Sequence, residues 1–205
     1  SLGIVASPAA LGADLVVGSL QPLGVHMHGG GGVGGFIASR HEERFAREYP
    51  TFLVSAAPTV VEGETGFGLS LFHQTSYGMR DEGKDWTGNS TYLWTIAAAA
   101  YMALLGPDGF VELGRAIIAG AHAAAGKIGA IPGVRVSYPA GFFKEFVVDF
   151  SETGKSVAEI NQALLKQDIF GGIDLGDGRA LYCVTEIHVD ADIDRLVAAL
   201  ERAVR

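Results

Sequence analysis

The chain has 205 residues, 48% apolar and 19% charged, with a formal net charge of −8. That is enough apolar material for one large domain or two small ones, and the low charged fraction points to more surface buried against partners than a monomer needs. The acidic balance argues against nucleic acid or an anionic membrane as the principal partner. A single cysteine, Cys183, permits no internal disulfide and fits a reducing cytoplasm; within the apolar run Ala180 to Val184 it reads as a buried, inert thiol. The longest apolar run, Ile96 to Leu105, falls short of the about 20 residues that a bilayer span takes. No basic and then apolar leader opens the chain, and a start at Ser1-Leu-Gly-Ile-Val without methionine reads as a fragment.

In chain order, Asp14 to Val17 is a short apolar run of the kind that forms a buried parallel strand. A loop with His26 and His28 leads to the four glycines Gly29 to Gly32, after which Phe36 to Ser39 reads as a strand. Glu42 to Tyr49 is a short charged helix stopped by Pro50, and Phe67 to Phe72 is a strand candidate. Residues 73–90 are polar and hold Arg80, Lys84, Thr87 and Asn89. Thr91 to Leu105 has the composition of a buried helix ended by Gly106-Pro107, and a second helix runs from Asp108 to Ile128. Val134 to Tyr138, Glu145 to Phe150 and Ala180 to Thr185 are strands, Val157 to Lys166 a helix, and Asp190 to Val204 an amphipathic terminal helix. The expected division is therefore residues 1–106 as part of a larger domain and 107–205 as a small α/β domain. Its core would include Val136, Phe146, Val148, Leu181, Cys183, Leu196 and Leu200.

Strand, loop and glycine cluster follow one another as they do in pyridoxal-phosphate enzymes on an open α/β sheet, where a loop lysine forms the imine with the cofactor aldehyde. No lysine precedes Lys84 in this chain. Gly12-Ala-Asp-Leu-Val-Val-Gly18, Gln21-Pro-Leu-Gly24, Gly35-Phe-Ile-Ala38, Gly171-Gly-Ile-Asp-Leu-Gly176 and Cys183-Val-Thr-Glu186 occur in this order. With Leu104-Leu-Gly106 and Phe143 to Val148 they resemble the glycine cleavage system P-protein, and more closely its first subunit or the N-terminal half of the fused form. The segment Arg80 to Asn89 matches that family's substrate-facing loop only loosely.

The resemblance implies the C-terminal part of a fold type I transferase, with the end of the large-domain sheet and the small domain. It also implies that Pro22 stands where the catalytic second subunit has its lysine. This chain would then wall the active site of a lysine-bearing partner subunit in a cytoplasmic oligomer. Pyridoxal phosphate would be held by that partner, and the aminomethyl product passed to a lipoyl carrier protein. His26, His28, Gly29, Gly30, Arg80, Lys84, Thr87 and Asn89 are the candidates to face cofactor or substrate.

Each has a plainer reading. The tetraglycine is read as a tight turn ahead of a phosphate cradle. The two histidines lack a third ligand nearby, so no metal is expected. Arg80 and Lys84 lie among Asp81, Glu82 and Asp85, which would neutralise them. Asp174 and Asp177 read as turn residues, and Glu186 and His188 as local caps or pairs. The competing functions are a binding or scaffold protein that kept the fold, and a complete enzyme whose lysine lies upstream of Ser1; Pro22 in the expected lysine position speaks against the latter.

Overall fold

The computed structural model describes residues 3–26, 34–84 and 91–205. Two compact units emerge: Ala6–Leu104, and Leu105–Arg205 together with the N-terminal segment that ends at Val5. The expected helices at 91–105 and 108–128 appear as one helical stretch, α3 (Tyr92–Gly129), with a single break at Gly106, where φ is 60° and ψ −179°. That backbone conformation suits glycine, and Pro107 behind it supplies no N–H to carry the hydrogen-bond ladder across. By length and composition the whole stretch would suffice to cross a bilayer. After the break, however, its apolar stripe is used inside a folded core.

The second unit is built from alternating strands. β5 (Arg135–Ser137), β6 (Glu145–Asp149), β7 (Ile173–Gly176) and β8 (Arg179–Cys183) form an antiparallel four-stranded sheet in the order β5-β6-β8-β7. Phe146, Val148, Ala180 and Tyr182 point to one face. There they join Ala121, Ala124, Ala125 and Ile128 of α3, whose i, i+3, i+4, i+7 spacing makes one helical stripe. Ile160 and Leu164 from α4 (Val157–Leu165) and Ile193, Ala199 and Leu200 from α5 (Asp190–Ala203) complete the core. α4 begins with a capping box: the Ser156 hydroxyl accepts from the Glu159 N–H at 3.2 Å, and the Glu159 carboxylate accepts from the Ser156 N–H at 2.9 Å.

Two of the expected core residues are misplaced by one position. Cys183 is exposed and Leu181 only partly buried, because β8 turns Ala180 and Tyr182 inward. In an apolar run both parities look equally suited to a core, and here the aromatic residue packs against Phe146 and Phe150. Of the two expected turn residues, Asp177 lies in the turn after β7, whereas Asp174 lies within β7 itself, an edge strand with a bulge between Asp174 and Gly176.

The first unit holds two separate hairpin-like sheets. β1 (Leu15–Ser19) pairs antiparallel with β2 (Gly35–Ser39), and β3 (Leu53–Pro58) with β4 (Thr65–Ser70). The buried parallel strand expected at Asp14 to Val17 is thus an antiparallel one, with Leu15 and Val17 exposed. The expected strand at Phe67 to Phe72 is shifted two residues earlier, and β3 was not anticipated. Its small core comprises Leu20, Leu23, Val25 and Ala98, with Gly24 lying against the Tyr101 ring.

Candidate functional site

Pro22 lies in a single 3₁₀ turn, Gln21–Leu23, between the buried side chains Leu20 and Leu23. It carries no amine, and its own side chain is exposed. His26 follows the buried Val25 and is also exposed. His28, Gly29, Gly30, Thr87 and Asn89 lie outside the described residues.

The polar segment is folded into a compact cluster of turns: a 3₁₀ turn at Phe72–Gln74, α2 (Ser76–Met79) and a 3₁₀ turn at Arg80–Glu82. Two buried polar side chains fasten it. Gln74 Nε2 donates to the Tyr49 carbonyl at 2.7 Å, and Thr75 Oγ1 to the Phe72 carbonyl at 2.8 Å. Gly83 approaches the Ser76 backbone so closely that a Cβ there would sit 2.5 Å from the Ser76 nitrogen, so only glycine closes this turn.

Lys84 is committed to this scaffold. Its N–H donates to the Gln74 carbonyl at 2.9 Å, and its Nζ to the Arg47 carbonyl at 3.0 Å and Glu48 at 3.3 Å. The ammonium therefore ties the turns to the end of α1 (Glu43–Ala46). Arg80 is different. Its backbone has φ 53° and ψ −121°, a region that costs a non-glycine residue energy. Its guanidinium is exposed and makes no hydrogen bond or ion pair among the described residues. A strained, unpaired arginine held on a stapled platform can offer a two-pronged contact to a carboxylate or phosphate. Arg80 and Lys84 lie four residues apart in one turn cluster, and among the described residues no hydrogen bond or ion pair joins His26 to either.

In the second unit the singled-out polar residues act locally. His188 Nδ1 accepts from the Thr185 N–H at 3.0 Å, which leaves Nε2 as the protonated ring nitrogen of the neutral form. Asp174 accepts from the Gly176 N–H at 2.8 Å, and Asp177 reaches Arg179 at 3.4 Å. No group of three or more metal-ligating side chains occurs among the described residues. Sequence reasoning passed over Gln74 and Thr75 as fasteners, because their burial depends on a turn cluster that no periodicity announces.

A profile of the glycine cleavage system P-protein matches residues 1–200. The chain belongs to that family. It is 36% identical to a probable glycine dehydrogenase (decarboxylating) subunit 1 of Desulfitobacterium hafniense, over 98% of this chain and 45% of the relative. The corresponding protein of Chlorobium limicola is 37% identical, over 98% and 44%. The chain thus spans under half the length of the curated relatives it matches. Among solved structures, an inhibitor-bound glycine decarboxylase (P-protein) of the glycine cleavage system superposes with a TM-score of 0.81 at 33% identity, covering 98% of this chain and 46% of that one. A sphingosine-1-phosphate lyase of Burkholderia pseudomallei shares the fold alone, with a TM-score of 0.60 at 19% identity over 94% of this chain and 38% of its own. The fold is α/β, that of the fold type I transferases to which the sequence pointed.

Proposed function

We propose that this chain is part of a first-subunit P-protein that serves glycine decarboxylation without carrying the cofactor covalently. What supports this reading is the family match over residues 1–200 together with the lack of any lysine before Lys84, the resemblance implying Pro22 at the lysine's place. Pyridoxal phosphate supplies the electron sink for such decarboxylations when bound as an imine to a lysine. That attachment does not fit here: Pro22 has no amine, and the first lysine, Lys84, holds the Arg47 carbonyl and Glu48. The covalent cofactor is therefore assigned to a lysine-bearing second subunit, and this chain packs against it as a wall of its site.

In that arrangement Arg80 binds and orients a carboxylate or phosphate, and Lys84 holds the platform on which Arg80 stands. His26 is the second described candidate to face cofactor or substrate, with His28, Gly29, Gly30, Thr87 and Asn89 completing the set. The domain assignment that goes with it makes residues 1–106 part of the large domain and 107–205 the small one. A cytoplasmic oligomer with a lipoyl carrier protein as acceptor completes the proposal, in keeping with the single free Cys183.

The test has two arms. Borohydride reduction of the chain with added pyridoxal phosphate, followed by mass analysis, is expected to give no stoichiometric adduct. Co-expression with the lysine-bearing subunit is expected to yield a co-purifying complex with glycine–bicarbonate exchange activity that falls in Arg80→Ala. An adduct on one specific lysine overturns the reading in favour of a complete enzyme; a complex without activity favours a scaffold.

A further inference from the structure

We propose that Gln74 is a positioning residue for Arg80: its side chain and its carbonyl hold shut the loop from which the arginine presents its guanidinium to a substrate or cofactor anion. This rests on the reading of Arg80 as an anion-binding residue and names what keeps that residue in place.

Arg80 stands apart from the other basic residues of the first unit in two ways. Arg40, Arg44, Arg47 and Lys84 each meet a carboxylate, and Arg80, the remaining arginine or lysine of Ala6–Leu104, meets none among the described residues. Its backbone, with φ 53° and ψ −121°, has a conformation that suits glycine. A residue in such a conformation persists only where its surroundings over-determine it. Part of that constraint is local. The Gly78 and Met79 N–H groups donate to the Thr75 carbonyl at 2.9 and 2.8 Å, and the Gly83 N–H donates to the Arg80 carbonyl at 3.0 Å. These bonds shape the turns on either side of Arg80 without fastening them to anything else.

Gln74 supplies the fastening. Its carbonyl accepts the Lys84 N–H at 2.9 Å, which joins the two ends of the loop. Its N–H donates to the Leu71 carbonyl at 3.1 Å, just beyond the end of β4. Its Nε2 donates to the Tyr49 carbonyl at 2.7 Å, while Lys84 Nζ reaches the Arg47 carbonyl at 3.0 Å. Both ends of the loop thus rest on one piece of backbone. Tyr49 carries the chain of contacts onward, donating its hydroxyl to Ser39 Oγ at the end of β2 at 3.1 Å. Of the two ties, that of Lys84 is exposed to water, whereas Gln74 is buried, and a hydrogen bond is the firmer in drier surroundings. Methionine at position 74 keeps a similar length but brings no donor. It leaves the Tyr49 carbonyl without this partner and the Arg80 side chain chemically unchanged.

The test uses the chain co-expressed with a lysine-bearing second subunit, read by glycine–bicarbonate exchange, and the chain alone, read by trypsin. In the complex, Arg80→Ala and Gln74→Met should each raise KM for glycine several-fold, and Gln74→Met should leave kcat within about two-fold of wild type. Gln74→Met added to Arg80→Ala should raise KM no further, because no guanidinium is then left to position. In the chain alone, Gln74→Met should speed cleavage after Arg80 several-fold and leave cleavage in the second unit unchanged, since the cut requires local opening of the loop. An unchanged KM in Arg80→Ala overturns the anion-binding reading, and the positioning role falls with it. A raised KM in Arg80→Ala with an unchanged KM in Gln74→Met overturns the positioning role alone, as do additive effects in the double variant. A loss of complex or of kcat in Gln74→Met at unchanged KM makes Gln74 a structural tie and nothing more. An unchanged rate of cleavage after Arg80, a readout that needs no partner, overturns the proposal as well.

Discussion

The two units spend similar sequence material differently. In Leu105–Arg205 the strand residues Phe146, Val148, Ala180 and Tyr182 share one core with residues of α3, α4 and α5, and Val148, Phe150, Ile160, Leu164 and Leu200 are wholly buried. In Ala6–Leu104 the strands occur in pairs, and their apolar side chains stay bare: Val17 is 73% exposed and Phe67 79%. The helical segment before Gly106 shows the same thing, with Leu93, Ile96 and Leu104 exposed. Alternation of apolar residues makes a strand, but only a covering layer makes a core. The first unit has the pattern without the cover, and bare apolar side chains are what an interaction face offers where they gather into one patch.

The strongest challenge to this contrast is a pair of truncations. Phe150→Ala, at a fully buried site in the second unit, should cost about 3–5 kcal/mol in urea unfolding. Phe67→Ala, at an exposed site in the first, should cost under about 1 kcal/mol. Comparable losses would mean that the first unit's strands are covered within this chain. Light scattering sharpens the same point. The isolated chain should self-associate with rising concentration, and Val17→Thr combined with Phe67→Ser and Leu69→Ser should reduce that association. A wild-type monomer up to high micromolar concentration would remove the interface claim.

A smaller effect concerns pH. The Ser151 side chain, then the Arg135 guanidinium at 2.7 Å, then the Ser151 backbone N–H at 2.9 Å hold the Asp149 carboxyl at about 2, below its ordinary 3.8. The folded-state value is depressed, so this stabilisation is complete above about 4 and is lost as pH falls toward 2. Acid unfolding of Asp149→Asn should show a weaker pH dependence across that window. The least of the effects is at the start of α4. Ser156→Ala should cost about 1 kcal/mol, read by the same urea titration, because the Glu159 N–H then loses its acceptor.

Much of the second unit was legible. Periodicity located β6, β8, α4 and α5, since each alternates or repeats against one core. The parity of β8 was not legible, because Leu181 and Cys183 look as suited to burial as Ala180 and Tyr182 until the facing aromatics Phe146 and Phe150 are known. β3 escaped because Ser55, Ala56 and Ala57 carry little strand signal of their own, and pairing with β4 makes the strand. At the candidate site the sequence picked out Lys84 and Arg80 together. Only the folded turns separate them into a structural tie and a charge without a partner among the described residues, since a carbonyl acceptor such as that of Arg47 leaves no trace in side-chain composition.

The open border of β7 bears on how the protein behaves in storage. An unpaired strand edge is a template on which further copies can stack into fibrils. Here that edge is four residues long, is kinked by the irregularity between Asp174 and Gly176, and has Asp174 and Asp177 at or beside it. Ile173 and Leu175 supply the stickiness that such stacking needs, and the two carboxylates oppose it by mutual repulsion between copies. High salt screens that repulsion. The solution conditions that screen Asp174 and Asp177 are therefore those under which this unit is most exposed to slow, ordered aggregation.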